Sequence, residues 1–356
     1  MLEECKLASY RFRDREFIRT PENLFFCIIG DQHPQNKAIS YLRYAPSSSG
    51  SWGRGSNHFR RAMPAYSISH LLKNIRYLKK EYPHYVFHSD AFNIEISAVP
   101  NSKVLQHYKP QDKMMQLGNM KNPDFLQKRA LKITEYLSET IGVSKKIFGI
   151  TGSILIDIHN TEFSDVDLTV SGGKNGFKLK ESLPSLFANK DEPVNYVPEN
   201  VLKKLFSDRV KEHPLSLDEV KSLNSRQWNY GTFKGTIFSL HTVRSISEIT
   251  NNYGDHFFHS LGIVKGEAII TDTSESLFNP HIYKIEKFKN NKECISKDIK
   301  EVVSYSGIYG GKFEINDEVA LQGKLEIVEN KTTGALFHRI IIGSPEAGGH
   351  DYMKPI

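Results

Sequence analysis

Apolar and polar positions recur in three different rhythms along this chain, and the changes of rhythm mark its parts. From about residue 14 to 118, short apolar runs are cut by turn residues. Phe17-Ile18 and Leu24 to Ile29 read as strands around the turn Thr20-Pro21-Glu22-Asn23, and Ala38 to Tyr44 reads as a third. Pro46 to Gly55, rich in Ser and Gly, reads as a flexible loop. Ser67 then caps a predicted helix with Ile68, Leu71, Leu72, Ile75 and Leu78 at helical spacing, ended by Pro83. Val86-Phe87 and Phe92 to Ile96 read as further strands.

The rhythm changes after Lys109 to Asn122, a Lys/Gln/Asn/Met-rich segment read as a connection. Asp124 caps a longer helix whose apolar face is Phe125, Ala130, Leu131, Ile133, Tyr136, Leu137 and Ile141, with Gly142 as its C-cap. Lys146 to Thr151 follows as a short buried strand. From about Gly266 the period is two. Val319, Leu321, Leu325 and Ile327 alternate with Gln322, Lys324 and Glu326, and Asn330 to Gly334 makes a hairpin loop to Ala335–Gly343. With Glu267–Thr271, Ile282–Phe288 and Ile299–Tyr305 this gives five strands, enough for a small barrel of OB-like type. The boundaries expected are an N-terminal α+β domain over 1–118, a core over 119–264 and a β-rich domain over 265–356.

Length and composition narrow the class. A chain of 356 residues suits two or three domains, and 39% hydrophobic residues suffice for real cores. No apolar run approaches the roughly 18 residues of a membrane span, and Met1 to Lys6 has no apolar signal region. Cys5, Cys27 and Cys294 form no close pair, which excludes a disulfide framework and fits a reducing, cytoplasmic setting. The net charge of +6 permits a nucleic-acid or nucleotide partner without requiring one.

The chemistry concentrates in one stretch. Phe148-Gly149-Ile150-Thr151-Gly152-Ser153 is followed, after eleven residues, by Asp165-Val166-Asp167-Leu168-Thr169-Val170. On a strand Asp165 and Asp167 share one face while Val166, Leu168 and Val170 enter the core. Two co-facial carboxylates repel unless a cation lies between them, and hard oxygen donors select Mg²⁺ or Mn²⁺. Gly152 permits close backbone approach to a phosphate, and Ser153 opens a predicted helix whose N–H groups and hydroxyl face the same anion.

These residues resemble the signature of the polymerase-β-like nucleotidyltransferase superfamily: Gly-[Gly/Ser], nine to thirteen residues, then Asp-apolar-[Asp/Glu]-apolar. Gly152, Ser153, Asp165 and Asp167 match it, Val166 and Leu168 take its apolar positions, and Ser164 suits its Ser-Asp-x-Asp form. The whole chain also resembles uncharacterised archaeal predicted nucleotidyltransferases of similar length, which have a strand-His-Pro-strand segment like Gly30-Asp31-Gln32-His33-Pro34 and a β-rich tail. The resemblance implies an α+β fold with a mixed sheet and flanking helices at its centre. It implies transfer of a nucleoside monophosphate from a nucleoside triphosphate to a hydroxyl acceptor such as RNA, with two metal ions on Asp165 and Asp167. Gly152 and Ser153 would then bind phosphates.

Three features depart from that pattern. Thr151 stands where an apolar residue is usual. Ile154 and Leu155 follow the Gly-Ser in place of a basic residue, so triphosphate binding falls to Lys174, Lys178 or another domain. The strand expected to bring a third carboxylate, Thr236 to Val243, carries Ser239 and His241 instead, so His241 is either a stand-in for the acid or a satisfied structural histidine. Asp157 and Glu162, between the two halves of the motif, are other acids within reach. Trp52, Arg54, Arg60 and Arg61, with His58 and Phe59, make either a single-stranded nucleic-acid contact or a solvated loop. His33-Pro34 reads as a turn, Lys284, Lys287, Lys289 and Lys292 as a solvated face, and His256 with His259 as a structural pair on a helix. Two further functions stay open: a non-catalytic nucleotide- or nucleic-acid-binding protein of the same fold, and nucleotidylation of a protein or small molecule.

Overall fold

The computed structural model describes residues 11–63, 67–290 and 299–356, and builds a mixed α+β molecule from three sheets. Cys5, Lys292 and Cys294 lie outside the described residues.

The N-terminal sheet comprises β1 (Phe17–Arg19), β2 (Phe25–Ile28), β3 (Lys37–Pro46), β4 (Trp52–Arg54) and β5 (Asn57–Arg61), then helix α1 (Ile68–Glu81), β6 (Val86–Ser89), β7 (Ile94–Pro100) and β8 (Gln106–Tyr108). Its strands run β4-β5-β3-β2-β1-β8. The ten-residue β3 pairs with β7 at its start and with β5 at its end. The expected loop at 46–55 is therefore half hairpin: Trp52 pairs with Phe59 and Arg54 with Asn57. Serine and glycine masked the strand because the partner that orders it lies a few residues downstream.

The second sheet is attended by helices. Helix α2 (Pro110–Gly118) occupies the segment read as a connection and buries Leu117 against the following elements. Helix α3 (Phe125–Ile141) begins at Asp124, which forms a reciprocal capping box with Gln127, and ends at Gly142 with φ +69°, as its sequence predicts. Then come β9 (Phe148–Ile150), α4 (Gly152–Leu155), β10 (Val166–Ser171), α5 (Gly173–Ala188), β11 (Val194–Tyr196), α6 (Glu199–Glu212), α7 (Leu217–Ser225), β12 (Tyr230–Phe233) and β13 (Thr236–Val243). The order is β11-β12-β13-β10-β9, with β10 parallel to β13 and antiparallel to β9. Val166, Leu168 and Val170 are all 0% exposed and pack with Ala130, Ile133 and Leu137 of α3 and Leu179 and Leu183 of α5. Full burial of each such side chain stabilises by roughly 1.5–3 kcal/mol, so the register of β10 is fixed strongly.

The third sheet closes. β14 (His256–Asp272), β15 (His281–Asn290), β16 (Ile299–Ser304), β17 (Glu318–Asn330) and β18 (Leu336–Ile342) run β14-β15-β16-β18-β17, and β17 returns to β14, making a five-stranded barrel. β16 and β18 are parallel and the other neighbours antiparallel. β19 (Tyr352–Pro355) adds beside the start of β17. His256 and His259 lie on β14, not on a helix. Three residues apart on a strand, they face opposite sides, and each meets its own partner, Asn330 and Glu329. Among the described residues no helix is long and apolar enough to cross a membrane.

Candidate functional site at the carboxylate pair

The pair sits where β10 begins. A turn over Asn160–Ser164, closed by Ser164 N donating to Asn160 O at 2.9 Å and Asn160 N donating to Ser164 Oγ at 3.0 Å, delivers Asp165 to the strand. Asp167 is one step inside. Because Val166 and Leu168 face the core, both carboxylates turn the other way, toward the N-terminal sheet. Thr151 N donates to the Asp167 carbonyl at 2.9 Å, which brings the Gly-Ser segment beside the strand.

Gly152 makes the closest approach. Its φ is +66°, and a Cβ added there would lie 2.4 Å from Asp167 Oδ2. The carboxylate thus occupies the space a side chain would take, and the two halves of the motif meet in one place. Ser153 is buried, as are Ile154 and Leu155 behind it. Helix α4 is only four residues long, so its own dipole is small.

On the other flank β13 lies in register, with Asp167 opposite Ser239 and Thr169 opposite His241. Ser239 Oγ donates to Asp167 Oδ1 at 2.5 Å and lies 3.0 Å from His241 Nε2, which is itself 3.8 Å from Asp167 Oδ1. With its hydroxyl proton directed to the carboxylate, Ser239 accepts from His241, which sets the imidazole proton on Nε2. Burial and the neighbouring Arg15 charge hold His241 below its ordinary range, against the pull of Asp167. Burial also opposes the Asp167 anion, but hydrogen bonding and charge from His241, the Ser239 hydroxyl and the Arg43 guanidinium prevail and hold it well below the usual carboxylate range. Asp165 goes the other way: repulsion from Asp167, then burial, push it up to about 7, against the pull of Arg61 and Arg43. Such opposed shifts mark two carboxylates side by side, where one proton or one cation relieves the repulsion.

The chain is 29% identical over 346 residues to an uncharacterised protein of Methanocaldococcus jannaschii, an alignment covering 97% of this chain and 99% of that protein. No family model and no solved structure matches the chain.

The remaining predicted site residues divide. Trp52 and Arg61 come to the pair. Trp52 meets Phe163, two residues before Asp165, with ring centroids 5.5 Å apart, and the Arg61 guanidinium lies over the Trp52 ring at 4.6 Å. Gly53 N donates to Ile158 O at 2.8 Å, tying the hairpin to the segment after α4. Arg60, one step along β5, faces away and lies over Tyr77 of α1 at 5.4 Å. Arg54 lies at the hairpin tip. Lys174 is not brought to the pair. It is exposed on the first turn of α5, beyond the far end of β10, whose run from Asp167 to Ser171 alone spans roughly 13 Å by strand rise. Lys178 is engaged elsewhere, donating to Gly142 O at 2.9 Å. Asp157 is spoken for as well, by the buried Lys113 at 2.6 Å.

Two residues were missed by sequence reasoning. Arg43, on the strand read over Ala38 to Tyr44, is buried to 7% exposure, donates to Met63 O at 2.6 Å and acts on both aspartates. Tyr230, on β12 opposite Ser239, has its phenol pushed up to about 12 by burial and by the two aspartates. An arginine amid apolar neighbours was the available signal for the first; nothing local marked the second.

Asp165 and Asp167 fit one hard divalent ion of the Mg²⁺ type, which takes one or two carboxylates and completes its shell with water or phosphate oxygens. A second ion has fewer donors. Among the described residues no group of three or more His, Cys, Asp or Glu is placed to hold a metal.

Proposed function

We propose that this protein is a metal-dependent nucleotidyltransferase, moving a nucleoside monophosphate from a nucleoside triphosphate to a hydroxyl acceptor with release of pyrophosphate. The observation that carries the reading is the seat of the Asp167 carboxylate in the space left by the Gly152 side chain. The signature joins a Gly-Ser to an Asp-x-Asp because the phosphates must lie between them, and here they adjoin. A strand, a short helix, an antiparallel strand and a parallel neighbour also suit a polymerase-β-like core. The barrel, with its parallel closing pair and a net charge of +6 on the chain, suits an OB-like module and an RNA acceptor.

A bound Mg²⁺ or Mn²⁺ supplies charge to polarise the phosphates. The chain's own groups do the positioning. Ser239, backed by His241, fixes Asp167 as an ionised donor in one rotamer. Gly152, with no Cβ, leaves room for the Asp167 carboxylate and lets the backbone come close to the phosphates. Asp165, at the rim of the pair, is the group able to take the proton from the attacking hydroxyl. The acceptor oxygen bonds to the α-phosphorus as the bond to the bridging oxygen of pyrophosphate breaks.

A second reading has its own support. Ser239 and His241 hold the place where active relatives of the superfamily carry a third acid, which favours a nucleotide-binding protein without transfer. One assay separates the two. The purified chain is incubated with each α-labelled nucleoside triphosphate, Mg²⁺ or Mn²⁺, and total RNA, tRNA or protein extract, beside the Asp165→Ala/Asp167→Ala double variant. Label transfer by the wild type alone supports the transferase. Binding without transfer under every condition supports the second reading.

A further inference from the structure

We propose that Arg61, carried in by the N-terminal hairpin, is the cation that binds the triphosphate of the nucleotide, with Arg43 beside it. The inference rests on the nucleotide site proposed above and names a residue for a task the core itself leaves undone. Behind Gly152-Ser153 the chain offers Ile154 and Leu155, each 1% exposed, and the lysines of α5 are directed elsewhere. No cation of α4 or α5 reaches the pair.

The hairpin fills that gap with a side chain whose position is fixed. Trp52 is wedged between Phe163 at 5.5 Å and Tyr44 at 5.8 Å, and Gly53 is hydrogen-bonded to Ile158. Arg61 lies against that tryptophan, and its charge and that of Arg43 are felt at Asp165. The Arg61 Nε is buried and has no hydrogen-bond partner among the described residues. A buried guanidinium N–H without an acceptor is costly, and an anionic oxygen is the acceptor that satisfies it best.

The charge balance points to the same ligand. Two arginines face two aspartates, so the four side chains neutralise one another. A divalent ion on the carboxylates raises the local charge to about +2, which a polyphosphate, rather than a neutral sugar or base, would balance. Stacking on Trp52 holds the guanidinium plane, so its fork can take two phosphate oxygens.

The test is equilibrium binding to the full-length protein with Mn²⁺ present, using a non-hydrolysable nucleoside triphosphate, inorganic triphosphate and a single-stranded RNA oligomer as three separate probes. Arg61→Gln and Arg61→Lys are compared with Arg60→Gln, a control on the opposite face of β5, and with Asp165→Asn/Asp167→Asn. Circular dichroism and thermal melting confirm that each variant is folded. Loss of a charge-assisted hydrogen bond predicts about tenfold to a hundredfold weaker nucleotide and inorganic triphosphate binding in Arg61→Gln. Partial retention is expected in Arg61→Lys and no change in Arg60→Gln. Unchanged triphosphate binding in folded Arg61→Gln, with loss in the aspartate double variant, overturns the role of Arg61 and leaves the nucleotide site standing. Loss of RNA binding alone in Arg61→Gln also overturns it and reassigns the residue to the acceptor. Absence of nucleotide and triphosphate binding in the wild type overturns the site and this inference together.

Discussion

Strands β10 and β13 lie side by side, in register and parallel, yet they answer the same chemical question differently. β10 carries carboxylates on the face turned from the core. β13 carries Ser239 opposite Asp167 and His241 two residues on, opposite Thr169. An acid there would add a third negative charge to a pair already in conflict, as the upward push on Asp165 shows. The serine and histidine do the reverse. Ser239 donates to Asp167 and His241 backs that hydroxyl, so the two keep Asp167 ionised and fix its rotamer, leaving Asp165 as the carboxylate whose proton is exchangeable near neutrality. The contrast teaches that one strand can supply charge while its neighbour supplies order. It also places the compensating cations on a third element, the N-terminal sheet.

That division of labour can be broken at several points. Removing the charge on β10 should have the largest effect: Asp167→Ala is expected to lower transfer by about 10³-fold or more in the labelled-nucleotide assay, since the loss of metal-ligand charge is worth several kcal/mol. Next is Gly152→Ala. The added Cβ meets Asp167 Oδ2 at a backbone of φ +66°, so the carboxylate must shift. A displacement near 1 Å in a catalytic group costs about a hundredfold in rate, and the positive φ adds roughly 1 kcal/mol of strain, visible in a thermal melt. Ser239→Ala on β13 removes order but not charge, and should cost only about tenfold, with KM for the nucleotide little changed. Equal losses for Ser239→Ala and Asp167→Ala would contradict the division between the strands.

A separate effect falls on stability, and its sign is specific. Asp165 has a folded pKa of about 7, above the ordinary carboxylate value. The folded chain therefore binds more protons than the unfolded chain between about pH 4 and 7, and repulsion from Asp167 destabilises the fold above pH 7. Asp165→Asn should stabilise the metal-free protein at pH 8 by up to about 4 kcal/mol and make no difference near pH 4. Added Mn²⁺ should stabilise the wild type and shrink the gap at pH 8. His241 on β13 titrates in the opposite sense. Its pKa is depressed by burial, so its contribution is present above the ordinary histidine value and is lost as the pH falls through it toward the folded pKa.

Much of this architecture is legible in local sequence. The Asp124 cap and Gly142 end of α3, the hairpin at 330–334 and the alternation on β10 each depend on residues a few positions apart. What local pattern does not contain is who lies beside whom. Trp52 and Arg61 read as either a single-stranded nucleic-acid contact or a solvated loop, because Phe163, their counterpart, is about a hundred residues away. Arg43 is hidden in a run of buried neighbours from Ser40 to Ala45. Lys174 follows β10 closely in sequence, but a strand of six residues carries its two ends well apart. The first half of β14 reads as a helix bearing His256 and His259 for a related reason: its bulge near Gly262 interrupts the alternation, and pairing with β17 rather than its own pattern keeps it extended.

The most direct test of the central claim is Mn²⁺ binding followed by electron paramagnetic resonance, with and without a non-hydrolysable nucleoside triphosphate. The wild type should bind Mn²⁺ and show phosphorus coupling once the nucleotide is added, and the Asp165→Ala/Asp167→Ala variant should show neither. Mn²⁺ and nucleotide bound equally well by the double variant would contradict the assignment of this carboxylate pair as the metal and nucleotide site.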